Sequence, residues 1–139
     1  MNFLTKNLDN TFLLRFALAV IMIMHGIPSF VEMSVIDFGK WLQQDYFGFM
    51  GIPIAVAVKL VHVASIFALL MNKYLKPLAV LNIIIFIAGI IMIHGHNGWY
   101  VVGGGSNGVE FNFLLIFAFA TFLFPEGLIK KVKPSFSNS

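Results

Sequence analysis

Four long apolar stretches dominate the 139 residues of this chain. They cover residues 12–31, 53–72, 77–95 and 111–129, and charged side chains are nearly confined to the gaps between them. An α-helix rises about 1.5 Å per residue, so roughly 20 apolar residues are needed to cross the hydrocarbon core of a bilayer. Each stretch meets this requirement, and lipid does not tolerate open backbone. We therefore predict an all-α membrane protein, folded as a bundle of four transmembrane helices.

The composition leaves little material for anything outside a membrane. Hydrophobic residues make up 59% of the chain and charged residues 11%, whereas a soluble domain usually carries about 25% charged residues. We therefore predict a single transmembrane domain over residues 1–139. The absence of cysteine excludes disulfides, iron–sulfur ligation and thiol redox chemistry. If the protein handles electrons, another molecule must carry them.

The distribution of lysine and arginine predicts the orientation. Most of them lie near one set of helix ends, namely Lys6, Arg15, Lys73, Lys76, Lys130, Lys131 and Lys133. The opposite connections carry Lys40 among acidic residues, and neither lysine nor arginine occurs between residues 96 and 110. By the positive-inside rule, both termini are expected in the cytoplasm. Topology thus explains the net charge of +3, and nucleic-acid binding is not needed to account for it.

The two connections on the outer side differ in character. In residues 33–49, apolar side chains recur near helical spacing, which predicts a short interfacial helix between transmembrane helices 1 and 2, anchored by Trp41. This helix either seals the top of the bundle or forms a lid over a site. Residues 94–108 are rich in glycine and predict an irregular loop.

Polar residues inside the apolar stretches cost free energy unless they are paired or hydrated. Arg15 lies near the cytoplasmic end of helix 1, where its side chain can snorkel to lipid phosphates. Lys59 and His62 are three residues apart and share one face of helix 2, which we expect to point into the bundle. Glu110, at the start of helix 4, is the best-placed acidic partner. It can equally be a helix-start carboxylate that the helix dipole favours.

Two histidines are expected at the same depth near the outer surface. His25 lies near the outer end of helix 1 and His94 lies at the outer end of helix 3, and these helices run in the same direction. Such a pair can ligate haem or a metal, contact a quinone carbonyl, or bond backbone groups at the helix ends. No H-E-x-x-H pair and no Glu-x-x-His repeat occurs, so we predict no zinc or di-iron site. Trp99 and Tyr100 add aromatic rings that can stack on a quinone at the same mouth.

Several of these residues carry a resemblance to a known family. The run from Arg15 to His25-Gly26-Ile27-Pro28 resembles the opening of the DoxX family, an arginine followed by an apolar decade and a His-Gly-x-Pro turn. The second half resembles that family through a set of short motifs, which are His94, Asn97-Gly98-Trp99-Tyr100, the glycines at 103–105 and Glu110. The resemblance covers residues 12–125. The chain departs from the family pattern at Ser29, where lysine is common, and in helix 2, where His62 lies near the place of a frequent buried glutamate.

The resemblance implies a small four-helix inner-membrane protein, in a family named after the small subunit of a thiosulfate:quinone oxidoreductase and often associated with redox partners. We therefore expect a subunit of a redox-linked membrane complex that contacts a quinone at the outer mouth of the bundle. In this hypothesis His25 and His94 contact the carbonyl oxygens, Glu110 relays a proton, and Trp99 and Tyr100 contact the quinone ring.

Two alternatives stay open from the sequence. The chain can be a non-enzymatic accessory subunit of a larger membrane complex, in which Lys59, His62 and Glu110 form buried structural pairs. It can also bind haem through His25 and His94, although quinone is the favoured cofactor. Membrane lipid and other membrane or redox proteins are the expected partners. A homo-oligomer is compatible with the scattered small residues of the helices.

Overall fold

The computed structural model of the protein describes residues 8–128, and all regular elements in this range are helices. The all-α prediction is confirmed for this part of the chain. Irregular helical turns connect two of the α-helices to each other, and similar turns extend a third α-helix at its C-terminal end. The five α-helices are α1 (Phe12–Val31), α2 (Ser34–Leu42), α3 (Gly51–Met71), α4 (Leu75–Gly89) and α5 (Glu110–Ala120). The turns are a π-helical one (Gln43–Phe47) and a 3₁₀ one (Gly48–Met50) before α3, and a second such pair after α4 (Ile90–His94 and Gly95–Asn97).

Three helical segments are long and apolar enough to cross a membrane. They are Phe12–Val31, Ser34–Met71 and Leu75–Asn97, with 20, 38 and 23 residues. Helix α1 has the bounds that the first apolar stretch predicts. The length and composition of these helices indicate a membrane protein.

The fourth predicted helix is shorter than expected. The stretch 111–129 predicts about five turns of helix, but α5 ends at Ala120 after 11 residues, and turns and bends follow to residue 128. Residue 129 lies outside the described residues. The helix ends because Phe122 and Leu123 donate backbone bonds three residues back, to Phe119 and Ala120, which tightens the last turn. Pro125 then lacks the N–H that a continuing helix needs.

One buried cluster joins the four longer helices. Leu18 and Met22 of α1 meet Leu69 of α3, Phe86 of α4 and Phe119 of α5, and all five are almost fully buried. Side chains on the opposite faces of these helices are exposed. Apolar side chains therefore lie both inside the molecule and on its surface, as in a protein whose solvent is lipid.

Helix α2 folds back against the first half of α3. A Cβ atom added to Gly39 would lie 2.7 Å from the Cα of Ile52, and one added to Gly51 would lie 2.5 Å from the carbonyl oxygen of Gly39. Because only glycine permits this approach, the two backbones come close enough to bury Val35 and Ala55 between them. A short helix thus follows α1, and it leads through the two irregular turns directly into α3. Its interfacial position stays a prediction.

Arg15 is buried, and the expectation that it snorkels to lipid phosphates is wrong. Its side chain is 1% exposed. The guanidinium donates to the carbonyl oxygen of Leu69 at 2.7 Å, to the hydroxyl of Thr11 at 3.1 Å and to the carboxylate of Asp9 at 3.2 Å. Asp9 also accepts a bond from Asn72 at 3.0 Å. This polar cluster ties the start of α1 to the end of α3, which satisfies the arginine without access to lipid head groups.

The carboxylate of this cluster is strongly acidic. The hydroxyl of Thr11 donates to Asp9 at 2.7 Å, and this bond is the main cause that lowers the pKa of Asp9 to about 2. Partial burial opposes the shift, while the backbone N–H of Thr11 and the Arg15 guanidinium reinforce it. Asp9 therefore stays ionised at any pH near neutrality.

Candidate functional site

A cavity of about 590 Å³ lies at the end of the molecule where α1 and α4 end and where α3 and α5 begin. Helix α2 forms one of its walls, through Phe38, Trp41 and Leu42. Residues of α3 and α4 complete a mostly apolar lining. Small-molecule sites in proteins are concave, mostly apolar and typically about 300–1,000 Å³ in volume. The cavity thus has the size and the walls of a ligand site.

A few polar side chains interrupt the apolar lining, and none of them is acidic. The polar side chains are His25, Ser29, Ser34, Lys59, His62, His94 and Asn112. All of them can donate a hydrogen bond, and lysine does so with a positive charge. The cavity therefore presents donors and one cation to whatever occupies it.

His62 is the most deeply placed of these groups. Its side chain is 5% exposed, and within residues 8–128 neither ring nitrogen has a hydrogen-bond partner. The ring stacks on Phe86, with centroids 6.2 Å apart and planes 19° apart, and meets the ring of His25 edge-on at the same centroid distance. A buried polar group without a partner costs about 1–3 kcal/mol. His62 is thus held by packing and leaves a donor and an acceptor for a ligand or a water.

Lys59 lies one helical turn from His62 on the same face of α3. Its ammonium donates to the backbone carbonyl oxygen of His25 at 3.0 Å and lies 5.7 Å from the centre of the Phe38 ring. Both contacts are with neutral groups. Among the described residues, the two ion pairs are Arg15 with Asp9 and Lys40 with Asp37, so Lys59 takes part in neither.

The expected pairing of Lys59 with Glu110 is not found. Glu110 is half-buried and does not line the cavity, and no ion pair links it to Lys59 within residues 8–128. Asn112, two residues further along α5, lines the cavity instead, and its amide lies 3.4 Å from the carbonyl oxygen of Phe86. Side chains two positions apart on a helix point to different sides. Because Asn112 faces the cavity, Glu110 faces away from it.

The π-helical turn after α4 positions His94. Ring atom Nδ1 of His94 lies 2.8 Å from the carbonyl oxygen of Asn107, so this nitrogen carries the hydrogen and Nε2 is the acceptor. The hydroxyl of Tyr46 donates to the carbonyl oxygen of Met92 at 3.0 Å and links this turn to the segment after α2. Single π-helical turns inside helices are frequent at functional sites. Here the turn fixes one edge of the cavity.

The structure brings some of the candidate residues from the sequence together at the cavity and places others elsewhere. His25 and His94 line the same cavity, together with Lys59 and His62, which the sequence singles out as buried structural groups. Trp99 and Tyr100 do not line it. Trp99 is 49% exposed and packs against Phe113 of α5, with ring centroids 5.3 Å apart.

Asn112 was not singled out from the sequence. The signal was present, since an amide inside an apolar helix needs a partner as an ionisable group does. No group of three or more His, Cys, Asp or Glu side chains that could hold a metal ion is found in the part of the chain that the structure describes.

Comparisons of the chain with protein-family models, with curated proteins and with solved structures find no match. The resemblance to the DoxX family therefore stays a prediction from the motifs of the sequence. The candidate site rests on its own geometry.

Proposed function

We propose that this chain is a four-helix protein of a bacterial inner membrane that binds a quinone in the cavity between its helices, as a small subunit of a redox-linked membrane complex. The observation that carries the proposal is His62, a buried imidazole at the wall of a largely apolar cavity, neither of whose nitrogens has a hydrogen-bond partner among residues 8–128. The redox-linked complex follows from the resemblance to the DoxX family.

The membrane placement rests on the helices and on the lysines. Lys73 lies between α3 and α4 and Lys76 lies in the first turn of α4, at the end of the molecule opposite the cavity. Lysines also follow α5 in the sequence. With that end in the cytoplasm, both termini are cytoplasmic and the cavity lies in the outer half of the bilayer. Helix α2 then lies near the outer interface, where Trp41 is a suitable anchor.

Quinone fits the chemistry of the lining. A quinone has a flat ring, two carbonyl oxygens that accept hydrogen bonds and an apolar tail. His62 and Lys59 line the cavity and each can donate a hydrogen bond, and the apolar walls suit the ring and tail. Membrane quinones reach such a cavity through the lipid. Glu110 has no role in this proposal, because it does not line the cavity.

The quinone proposal is tested with the fluorescence of Trp41, because quinones quench tryptophan. The chain has two tryptophans, so a Trp99→Phe background leaves Trp41 in the cavity wall as the only reporter. Decylubiquinone or a short-tailed naphthoquinone is titrated into the protein in nanodiscs. We expect saturable quenching, and His62→Leu is expected to weaken it about tenfold through the loss of a buried hydrogen bond.

His96→Leu is the matched control, since His96 is an exposed histidine outside the cavity lining. This control is expected to bind as the parent does. Quenching that never saturates, or an equal loss in both variants, would exclude a quinone site at this cavity.

Membership of a redox complex is a separate question. The protein is purified from its native membrane in mild detergent, and co-purifying proteins and extracted quinones are identified by mass spectrometry. Redox proteins together with a quinone support the proposal. A complex with neither would make the chain an accessory subunit, in which Lys59 and His62 serve packing.

A further inference from the structure

The charged residues around the cavity indicate which kind of ligand head group the cavity binds. The chain contains six acidic residues, and none of them lines the cavity. Asp9 lies at the opposite end in the Arg15 cluster, and Asp37 pairs with the exposed Lys40. Glu110, as described above, faces away. Within residues 8–128, Lys59 therefore stands in the cavity wall without an ion pair to an acidic side chain.

The partners that Lys59 does have are weak for an ammonium group. One backbone oxygen at 3.0 Å uses one of its three N–H donors, and the ring of Phe38 faces it from 5.7 Å. Lys59 is half-buried, and a cation that is partly removed from water gains from an opposite charge and from further hydrogen bonds. An anionic oxygen in the cavity would supply both.

His62 adds a second donor to the same place. It lies one turn further along the face of α3, is 5% exposed and has no partner at either nitrogen among the described residues. One oxygen that accepts from both Lys59 and His62 would satisfy the two groups at once. Hydrogen bonds in which one partner is charged are roughly twice as strong as neutral ones.

We infer that the cavity selects lipophilic anions, with an ionised oxygen of the ligand held by Lys59 and His62. This inference rests on the proposed function in that it names the ligand class of the same cavity. An ionised oxygen on an amphiphile has two sources in a membrane, the acidic hydroxyl of a hydroxyquinone and the carboxylate of a fatty acid. We assign the hydroxyquinone, because the aromatic rings of Phe38, Trp41 and Phe86 line the cavity.

The test compares two ligands that differ in charge. One is a 2-hydroxy-3-alkyl-1,4-naphthoquinone, which is an anion at neutral pH, and the other is its neutral 2-methoxy ether with the same alkyl chain. Both are titrated against the Trp99→Phe protein in nanodiscs of neutral lipid. The readout is the ratio of the two dissociation constants, which we expect to favour the anion about tenfold, since a charged acceptor bonds more strongly than a neutral one.

Three variants locate the charge that causes the preference. Lys59→Gln is expected to bring the ratio close to one, and Lys59→Arg to preserve it. Lys40→Gln removes a positive charge from an exposed side chain of α2 that does not line the cavity, and is expected to leave the ratio as in the parent. A ratio near one in the parent, or a preference that survives Lys59→Gln, would overturn the inference.

A third ligand separates this inference from the proposed function. If parent protein binds both naphthoquinones saturably and equally, the anion preference is wrong and quinone binding stands. If dodecanoate displaces the hydroxynaphthoquinone and binds more tightly than it does, the anion preference stands and the quinone assignment is wrong. If none of the three ligands binds, both are wrong.

Discussion

The two ends of this molecule treat a cationic side chain of an apolar helix in opposite ways. At the cytoplasmic end that we propose, Arg15 is 1% exposed and bonds a carboxylate, a hydroxyl and a backbone oxygen. At the other end, Lys59 borders a cavity of about 590 Å³ and contacts one backbone oxygen and one ring face. Both residues stand within apolar helices, yet the first is enclosed by partners and the second faces a cavity.

This difference separates a structural group from a candidate binding group. A polar side chain in an apolar helix stabilises the fold only when the fold supplies its partners. Arg15 meets this condition. Lys59 and His62 do not, and the space in front of them has the volume of a small-molecule site. Matched variants at the two ends test this difference.

The largest expected effect is on stability at the Arg15 end. Arg15→Leu removes the donor of three hydrogen bonds, to the Asp9 carboxylate, the Thr11 hydroxyl and the Leu69 carbonyl oxygen. We expect it to lower the free energy of unfolding by about 3–5 kcal/mol, since a hydrogen bond to a charged group contributes about 1.5–3 kcal/mol. Lys59→Leu is the matched change at the other end and is expected to cost less than about 1 kcal/mol, because one exposed hydrogen bond is lost. Unfolding with SDS in mixed micelles measures both. Equal losses of unfolding free energy in the two variants would contradict the difference between the two ends.

A smaller difference in stability is expected between two variants on one face of α3. Ser65 accepts a bond from the buried amide of Asn82 at 2.6 Å, and Ser65→Ala is expected to cost about 1–3 kcal/mol. His62, one turn earlier, has no partner to lose, so His62→Leu is expected to leave stability unchanged or to raise it. Thermal unfolding in detergent compares the two variants. A loss in His62→Leu as large as that in Ser65→Ala would mean that His62 serves the fold.

The smallest expected effect is a pH dependence that belongs to the Arg15 end. Because folding lowers the pKa of Asp9 from 3.8 to about 2, its contribution to stability is complete above pH 3.8 and is lost as the pH falls towards 2. The melting temperature of the parent protein should therefore fall more between pH 5 and 2, a span of about three units, than that of Asp9→Asn. The difference between the two curves isolates Asp9 from the other acids. Parallel curves would mean that the carboxylate is not held by its partners.

The helix bounds were predicted best where polar residues flank an apolar run. Helix α1 lies between Asp9 and Glu32 and has the predicted bounds. The end of α5 was missed because apolar residues continue to Phe124, and hydrophobicity alone does not distinguish a helix from a turn of apolar residues. The π-helical turns after α2 and α4 leave no signal in the spacing of apolar residues.

The environment of each polar side chain was harder to predict than its position. The spacing of Lys59 and His62 was sufficient to place them on one face, and both line the cavity. The surroundings of Arg15 depend on where the end of α3 packs. The surroundings of Glu110 depend on how α5 is rotated about its axis. Neither can be predicted from one helix considered alone. Glu110 and Asn112 are two residues apart, so the choice between them depends on tertiary packing.

The central claim is that the Lys59 end of the molecule is a ligand cavity, and photolabelling tests it most directly. An azidoquinone is irradiated with the protein in nanodiscs, with and without excess decylubiquinone, and the labelled peptides are identified by mass spectrometry. The account predicts labels on cavity residues such as Phe38, Trp41 and Met92 that the excess quinone abolishes. Labels spread over exposed side chains such as Leu13 and Phe67, insensitive to the competitor, would contradict it.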